Sequence, residues 1–311
     1  MNVTDDDQCR SMTDRDWLAE RFEDHRAHLR AVAYRMLGSM AEAEDTVQDA
    51  WLRASRADAD AVDNLGGWLT TIVARLALDR LRTRAARREE LIGLEIPDPI
   101  VEAPEAPGQA SDPERQAMVA DSIGLAMLIV LDQLTPAERL AFVLHDTFGI
   151  PFEEIAPIVE RSPTATRKLA SRARQRVRGA VRPPDASPAR QRELVNAFFA
   201  AAGAGDFEAL LRVLDPDVVV RADVSERGGL FGGPSETRGA EAVARSALRF
   251  SALAPGARAA TVNGAPGFVV FTGDRPFAVV AFSTRGDRIV EIDFVLRPDR
   301  LARLDLSAVA P

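Results

Sequence analysis

At Pro183-Pro184 the hydrophobic period of the chain changes, and no single-layer fold accommodates both sides of that change. Before it, apolar residues recur at helical spacing. After it they alternate, with strand-like runs at 218–222, 259–262, 268–271, 277–282 and 289–296. An all-helical part is therefore joined to an α+β part, in which helices at 190–202 and 239–252 are expected on one face of a curved, mostly antiparallel sheet. Pro97, Pro99, Pro104, Pro107 and Pro113 exclude a continuous helix over 95–113 and divide the helical part in two. Three small domains suit the 311 residues better than one core.

The first helical unit spans 14–88. Leu18, Phe22, Leu29, Val32, Met36 and Leu37 mark one helix, Gly38-Ser39 the break, and Ala43, Val47, Ala50 and Trp51 the next. A third runs from about Leu65 through Trp68, Leu69, Val73 and Leu81 into an arginine-rich end. Residues 89–119 form an acidic, proline-rich linker. The second unit spans 120–182 and contains Thr135-Pro136-Ala137-Glu138, which has the form of a capped helix start. A domain at 189–305 follows, opened by Ser187-Pro188, with turns expected at Gly264-Ala265-Pro266-Gly267, Gly273-Asp274 and Arg285-Gly286-Asp287.

Within the second unit, 152–169 reads as helix, short turn and second helix, the latter capped by Ser162 with Pro163 at its first position. Glu160 stands in the turn where glycine is usual, at a cost of about 1 kcal/mol if its backbone is left-handed. Pro157 fits only if it lies in the first turn of its helix.

The net charge of −8 argues against a generally basic nucleic-acid binder, but its distribution is uneven. Residues 89–134 carry ten acidic side chains and one basic, 161–182 eight basic and none acidic, and 189–311 fifteen of each. A solvated basic helix is the plain reading of such a run. The turn signature, the cap and the absence of acid favour instead a helix that enters the major groove, with Thr164, Arg167, Lys168 and Ser171 at base edges and the more distal Arg172 and Arg174 toward phosphate.

Two further surfaces lie in the first unit. Asp45, Gln48, Asp49 and Leu52 share a helical face that mixes acidic and apolar groups, as suits a basic protein partner. Trp68 with Arg75, Arg80 and Arg82 combines an aromatic ring with basic groups, as suits unstacked single-stranded DNA.

Together these stretches resemble the bacterial sigma-70 superfamily. Ala43 to Arg53 is similar to its core-polymerase-binding helix, Trp68-Leu69 with Ala74 to Arg82 to its promoter-melting and −10 region, and Leu134 to Arg178 to its −35-binding domain. Two helical domains in this order resemble the extracytoplasmic-function (ECF) group. The third domain points to the SigJ-like subgroup, whose C-terminal domain is an NTF2-like fold of SnoaL type that acts as a built-in regulator. The subgroup's linker motif Trp-Leu-Pro-Glu-Pro corresponds to Glu95-Ile96-Pro97-Asp98-Pro99, with glutamate in place of tryptophan. Its Asp-Gly-Gly-Gly-Lys/Arg stretch is weakly matched at 223–229, and its Asn-Pro-Asp-Lys-Leu end is similar to Arg297-Pro298-Asp299-Arg300-Leu301.

The resemblance implies a multidomain protein: two all-α sigma domains, the second a helix-turn-helix, then an α+β cone. It implies a cytoplasmic initiation factor whose partners are core RNA polymerase and the −35 and −10 promoter elements, without cofactor, metal or membrane. It leaves room for an unidentified small-molecule ligand of the C-terminal domain.

Some domains of this third type are cyclases or isomerases with a buried aspartate or histidine as base. Asp293 is expected to point into the cone and Asp223 to sit at its rim, with Pro298 and Asp299 as further candidates for a pocket or regulatory role. The plainer expectation pairs Glu291 and Asp293 with Arg221 or Arg288. No histidine lies in this domain. His25 and His28, one helical turn apart, lack further metal ligands in sequence, and His145 reads as a packed histidine. Cys9 is the only cysteine, so an intrachain disulfide and a multi-cysteine zinc site are excluded. No apolar run of 18 residues occurs, and Asp5-Asp6-Asp7 stand where a signal peptide is basic, so neither export nor a membrane span is expected. Two alternatives remain: a bifunctional protein with an active C-terminal cyclase or isomerase, and a helix-turn-helix repressor with a ligand-sensing domain.

Overall fold

A computed structural model describes residues 4–57, 62–88, 96–104, 125–180, 187–223, 236–249 and 255–310. The expected linker at 89–119 thus lies largely outside the described residues, as do Glu95 and 224–229. Those described form two compact units: residues 4–57, 62–88 and 131–177, and residues 96–104, 125–130, 178–180, 187–223, 236–249 and 255–310.

The first unit opens with three helices, α1 (Thr4–Leu37), α2 (Met40–Ala54) and α3 (Leu65–Arg88). The break between α1 and α2 falls where Gly38 and Ser39 predict it. Gly38 adopts φ 73°, a conformation glycine takes without steric cost, and donates its N–H to the Tyr34 carbonyl. The helices bury one another's apolar stripes: Leu29, Val32, Met36, Val47, Leu69 and Leu78 are almost fully enclosed. Helix α1 starts ten residues before the expected Asp14, in a polar stretch with no apolar periodicity to reveal it.

Next along the chain come α4 (Leu125–Asp132), whose residues 125–130 belong to the second unit, and then α5 (Pro136–Phe142) continued by a π-helical turn at Val143–Thr147, α6 (Phe152–Val159) and α7 (Pro163–Ala180). The start of α5 is the expected capping box. The Thr135 hydroxyl accepts the Glu138 N–H at 3.3 Å, and the Glu138 carboxylate accepts the Thr135 N–H at 3.2 Å. Glu160 is left-handed at φ 57°, so the chain turns here without the usual glycine. Pro157 departs from expectation: it is the sixth residue of α6, not in the first turn. It removes one late hydrogen bond from a helix that ends two residues further on.

In the second unit, α8 (Pro188–Ala204), α9 (Phe207–Val213) and α10 (Ala240–Leu248) supply apolar residues to one face of a seven-stranded sheet. Its strands are β1 (Val101–Glu102), β2 (Leu214–Ala222), β3 (Glu236–Arg238), β4 (Ala257–Val262), β5 (Ala265–Thr272), β6 (Arg275–Arg285) and β7 (Arg288–Val295), in the order β1-β4-β5-β6-β7-β2-β3. All neighbours are antiparallel except β2 and β7. The interior between helices and sheet is filled by Phe198, Phe199, Phe268 and Phe282, with ring centroids 3.7–6.0 Å apart. A short α11 (Pro298–Leu301) follows the sheet.

The turn expected at 264–267 is tighter than predicted. Asn263-Gly264, both at positive φ, make a two-residue hairpin loop, and Ala265-Pro266-Gly267 belong to β5. β1 is unexpected, because it comes from the linker. Val101 pairs with Val262, and Asn263 holds Ile100 twice, donating its backbone N–H at 2.9 Å and accepting through its side-chain oxygen at 3.0 Å. The linker segment 96–104 is therefore part of the C-terminal unit.

Candidate nucleic-acid and polymerase interface

Helix α7 is organised by what its two sides meet. Thr166, Ala170, Ala173 and Val177 are buried, while Thr164, Arg167, Lys168, Ser171 and Arg172 are exposed on the opposite side. The Ser162 hydroxyl caps the helix by accepting the Ala165 N–H at 3.2 Å. Arg174, expected toward phosphate, is tied instead to Asp146 at 2.5 Å, and Arg176 to the buried Glu138 carboxylate at 2.9 Å. The residues left in water form a basic and hydroxylated stripe beginning at the helix N-terminus, where base contacts are made by helices of this kind.

On α3, Trp68, Arg75 and Arg82 follow one another at seven-residue spacing and so share a face. Both arginines are exposed, and Asp79 lies 3.7 Å from Arg82. Arg80 belongs to the other side. It donates to Asp49 at 2.7 Å and to the Glu42 carbonyl at 3.2 Å, fastening α3 to α2. Arg84 does the same through the Leu37 carbonyl and an ion pair with Glu42. Two residues expected on different interfaces, Arg80 and Asp49, are thus partners of each other.

Asp45, Gln48 and Leu52 remain together on the open side of α2, and Leu52, 45% exposed, is with Trp17 one of two exposed large apolar side chains among the described residues. Beside them lies a cavity of about 420 Å³ lined by residues that include Phe22, Arg26, Gln48 and Trp51. The histidines do not come together: His25 packs where Gly66 leaves room, a Cβ there falling 2.9 Å from its ring, and His28 meets Phe148 edge-on. Half-buried His145 keeps Nδ1 3.0 Å from the Ile150 carbonyl, in the packed role expected.

Of the four C-terminal candidates, Asp223 is bonded to the backbone just ahead of Pro298 and Asp299, while Asp293 is engaged by Arg221. Asp293 is 2% exposed but points away from the helix-lined interior, since its neighbour Ile292 belongs to the core and side chains alternate along a strand. It accepts from Arg221 at 3.4 Å, and Glu291 does so at 3.1 Å, the pairing anticipated in sequence. Arg288 binds the Leu214 carbonyl instead. Burial pushes the Asp293 carboxyl up to about 7, against the pull of Arg221.

Asp223 accepts the N–H groups of Leu296 and Arg297 and pairs with Arg300 at 2.8 Å; burial raises its pKa and these donors oppose the rise. Arg300 also reaches Asp98 of the linker at 2.6 Å. Pro298 occupies the first position of α11, and surface Asp299 is held low by its hydrogen bonds from Arg297. Asp98 and Arg300 lie in the two motifs at 95–99 and 297–301 that carry the subgroup resemblance, and the signal for Asn263 is the Asn263-Gly264 hairpin pair.

Residues 21–87 match the family model for sigma-70 region 2, and residues 126–177 that for sigma-70 region 4. The ECF RNA polymerase sigma factor SigJ of Mycobacterium tuberculosis is 36% identical over 294 residues, covering 90% of this chain and 91% of the relative. The chain belongs to the ECF sigma factors. A second relative of this family, the probable ECF RNA polymerase sigma factor SigI of Mycobacterium tuberculosis, is 33% identical, with 93% of this chain and 97% of the relative covered. The crystal structure of Mycobacterium tuberculosis SigJ superposes with a TM-score of 0.73 at 33% identity, over 93% of this chain and 99% of that one. The likeness therefore extends beyond the two sigma regions into the sheet-containing C-terminal unit. Among the described residues no helix is long and apolar enough to cross a membrane.

Proposed function

We propose that this ECF sigma factor acts in the cytoplasm, recruits core RNA polymerase through Asp45, Gln48 and Leu52 and directs it to promoters through α3 and α7. Trp68, Arg75 and Arg82 engage the −10 element, and Thr164, Arg167, Lys168, Ser171 and Arg172 engage the −35 element. The domain limits of this reading are 14–88 for polymerase and −10 binding, 120–182 for −35 binding and 189–305 for regulation. The observation that carries it is the exposed face of α7, where Arg167, Lys168 and Arg172 remain in water while Arg174 and Arg176 are engaged by acids.

The C-terminal domain modulates the factor in cis, without catalysis of its own. The supporting observation is that linker residues 96–104 contribute a strand to its sheet and an aspartate to the Arg300 cluster. A cyclase or isomerase is disfavoured by Asp293, which faces away from the interior and is paired with Arg221. Co-elution with core polymerase and run-off transcription test both parts. Leu52→Arg is expected to abolish co-elution while leaving the fold intact, and truncation at 188 is expected to change the yield of transcript. Unaltered promoter activity after truncation rejects regulation in cis.

A further inference from the structure

Arg167 has two contacts within its own unit. Its guanidinium lies 5.2 Å above the Phe152 ring, and Nη2 is 3.8 Å from Glu153 Oε1. Phe152 is itself fixed: it is buried at the start of α6 and stacked on His145 with centroids 3.8 Å apart. Glu153 and Arg167 stay in water, with side chains 66% and 58% exposed. A rigid aromatic platform thus carries a solvent-accessible ion pair on the side of α7 assigned to DNA.

We propose that Glu153 is a positioning residue that sets −35 discrimination, holding Arg167 over Phe152 while its guanidinium meets a matching base edge. The inference rests on the reading of α7 as the −35 helix. A guanidinium is attracted to every phosphate regardless of sequence, whereas among the base edges of the major groove only guanine offers it two parallel acceptors. An Arg167 that meets guanine from its place over Phe152 keeps the Glu153 pair, whereas one that swings to a phosphate gives it up, and the charge of Glu153 repels the phosphate chain; Glu153 therefore weakens engagement of mismatched DNA more than of matched DNA.

The test uses holoenzyme assembled from core polymerase and the full chain, with run-off transcription from a promoter and its single-base −35 variants at several salt concentrations. Glu153→Gln is expected to lower discrimination by about two- to fivefold, as befits an exposed pair. The effect should shrink as salt rises and vanish in an Arg167→Ala background. Glu154→Gln removes the same charge from the same turn, and no pair between Glu154 and Arg167 is found among the described residues; it is expected to leave discrimination unchanged. Equal effects of the two substitutions, or a Glu153→Gln effect that persists without Arg167, would overturn the proposal. An Arg167→Ala factor with unaltered −35 preference would reject the reading of α7 itself, and this inference with it.

Discussion

In the helical unit Arg75, Arg82, Arg167 and Arg172 stand exposed on two helices, whereas in the C-terminal unit Arg221 and Arg300 are enclosed by carboxylates at 2.6–3.4 Å. Arg300 is only 6% exposed, and it lies between Asp98 and Asp223, two acids that could not both remain charged in a dry interior without it. Its donors are committed to the fold. Among the described residues, the exposed arginines meet only exposed acids at longer range, Arg82 with Asp79 at 3.7 Å and Arg167 with Glu153 at 3.8 Å, and Arg80, Arg84, Arg174 and Arg176 fall between, fastening helix to helix at half-exposed contacts. Residue type alone therefore says little about the use of an arginine; the acids it meets decide that.

The sharpest challenge to this contrast is Arg300→Ala. It leaves Asp98 and Asp223 without their common partner, and a loss of about 3–5 kcal/mol is expected. Thermal unfolding of the full chain should show it as a lowered C-terminal transition. A transition within error of the parent would mean that the triad is not what joins linker to domain.

Arg167→Ala should lower stability by no more than about 1 kcal/mol, the worth of its exposed contacts with Phe152 and Glu153, and cost about 1–3 kcal/mol in preference at one −35 position if that residue reads a guanine. The comparison fails if stability falls further than that and promoter preference does not change.

Asp293 gives a pH signature. Its folded pKa of about 7 lies above the unfolded value near 3.8, so the folded state binds more protons between those limits. Its contribution to stability is full at acidic pH and is lost as pH rises from about 4 to about 7, with a slope of at most about 1.4 kcal/mol per pH unit. Asp293→Asn should flatten that part of the denaturation profile, and an unchanged slope would assign it to other groups.

The smallest effect separates two neighbours on α3. Arg80→Ala should lower stability by up to about 1 kcal/mol through its half-exposed pair with Asp49. Arg75→Ala should leave stability alone and reduce strand opening, as read by permanganate reactivity of −10 thymines. Interchanged outcomes would reverse the assignment of the two faces.

These contrasts also explain what sequence reasoning reaches. The capping box at Thr135 and Glu138, the Ser162 cap, the left-handed Glu160 and the face shared by Thr164, Arg167, Lys168 and Ser171 are set within a few residues, and all are visible in the pattern. β1 is two residues long and exists because Val262 and Asn263, some 160 positions away, offer it partners. No local periodicity announces such a strand. The side to which Asp293 points is not legible, because alternation gives two faces without saying which one the helices cover. The place of Arg80 is not legible either, because the acid that engages it, Asp49, stands on another helix.

Run-off transcription tests the central claim most directly: core polymerase from a related bacterium, genomic promoter fragments, and the full-length chain added or withheld. Discrete transcripts that appear only with the chain are the predicted result, and their start sites define the −35 and −10 elements proposed to be read by α7 and α3. The absence of any transcript with folded protein, from the full chain and from the truncation at 188 alike, would contradict the assignment of these surfaces to polymerase and promoter.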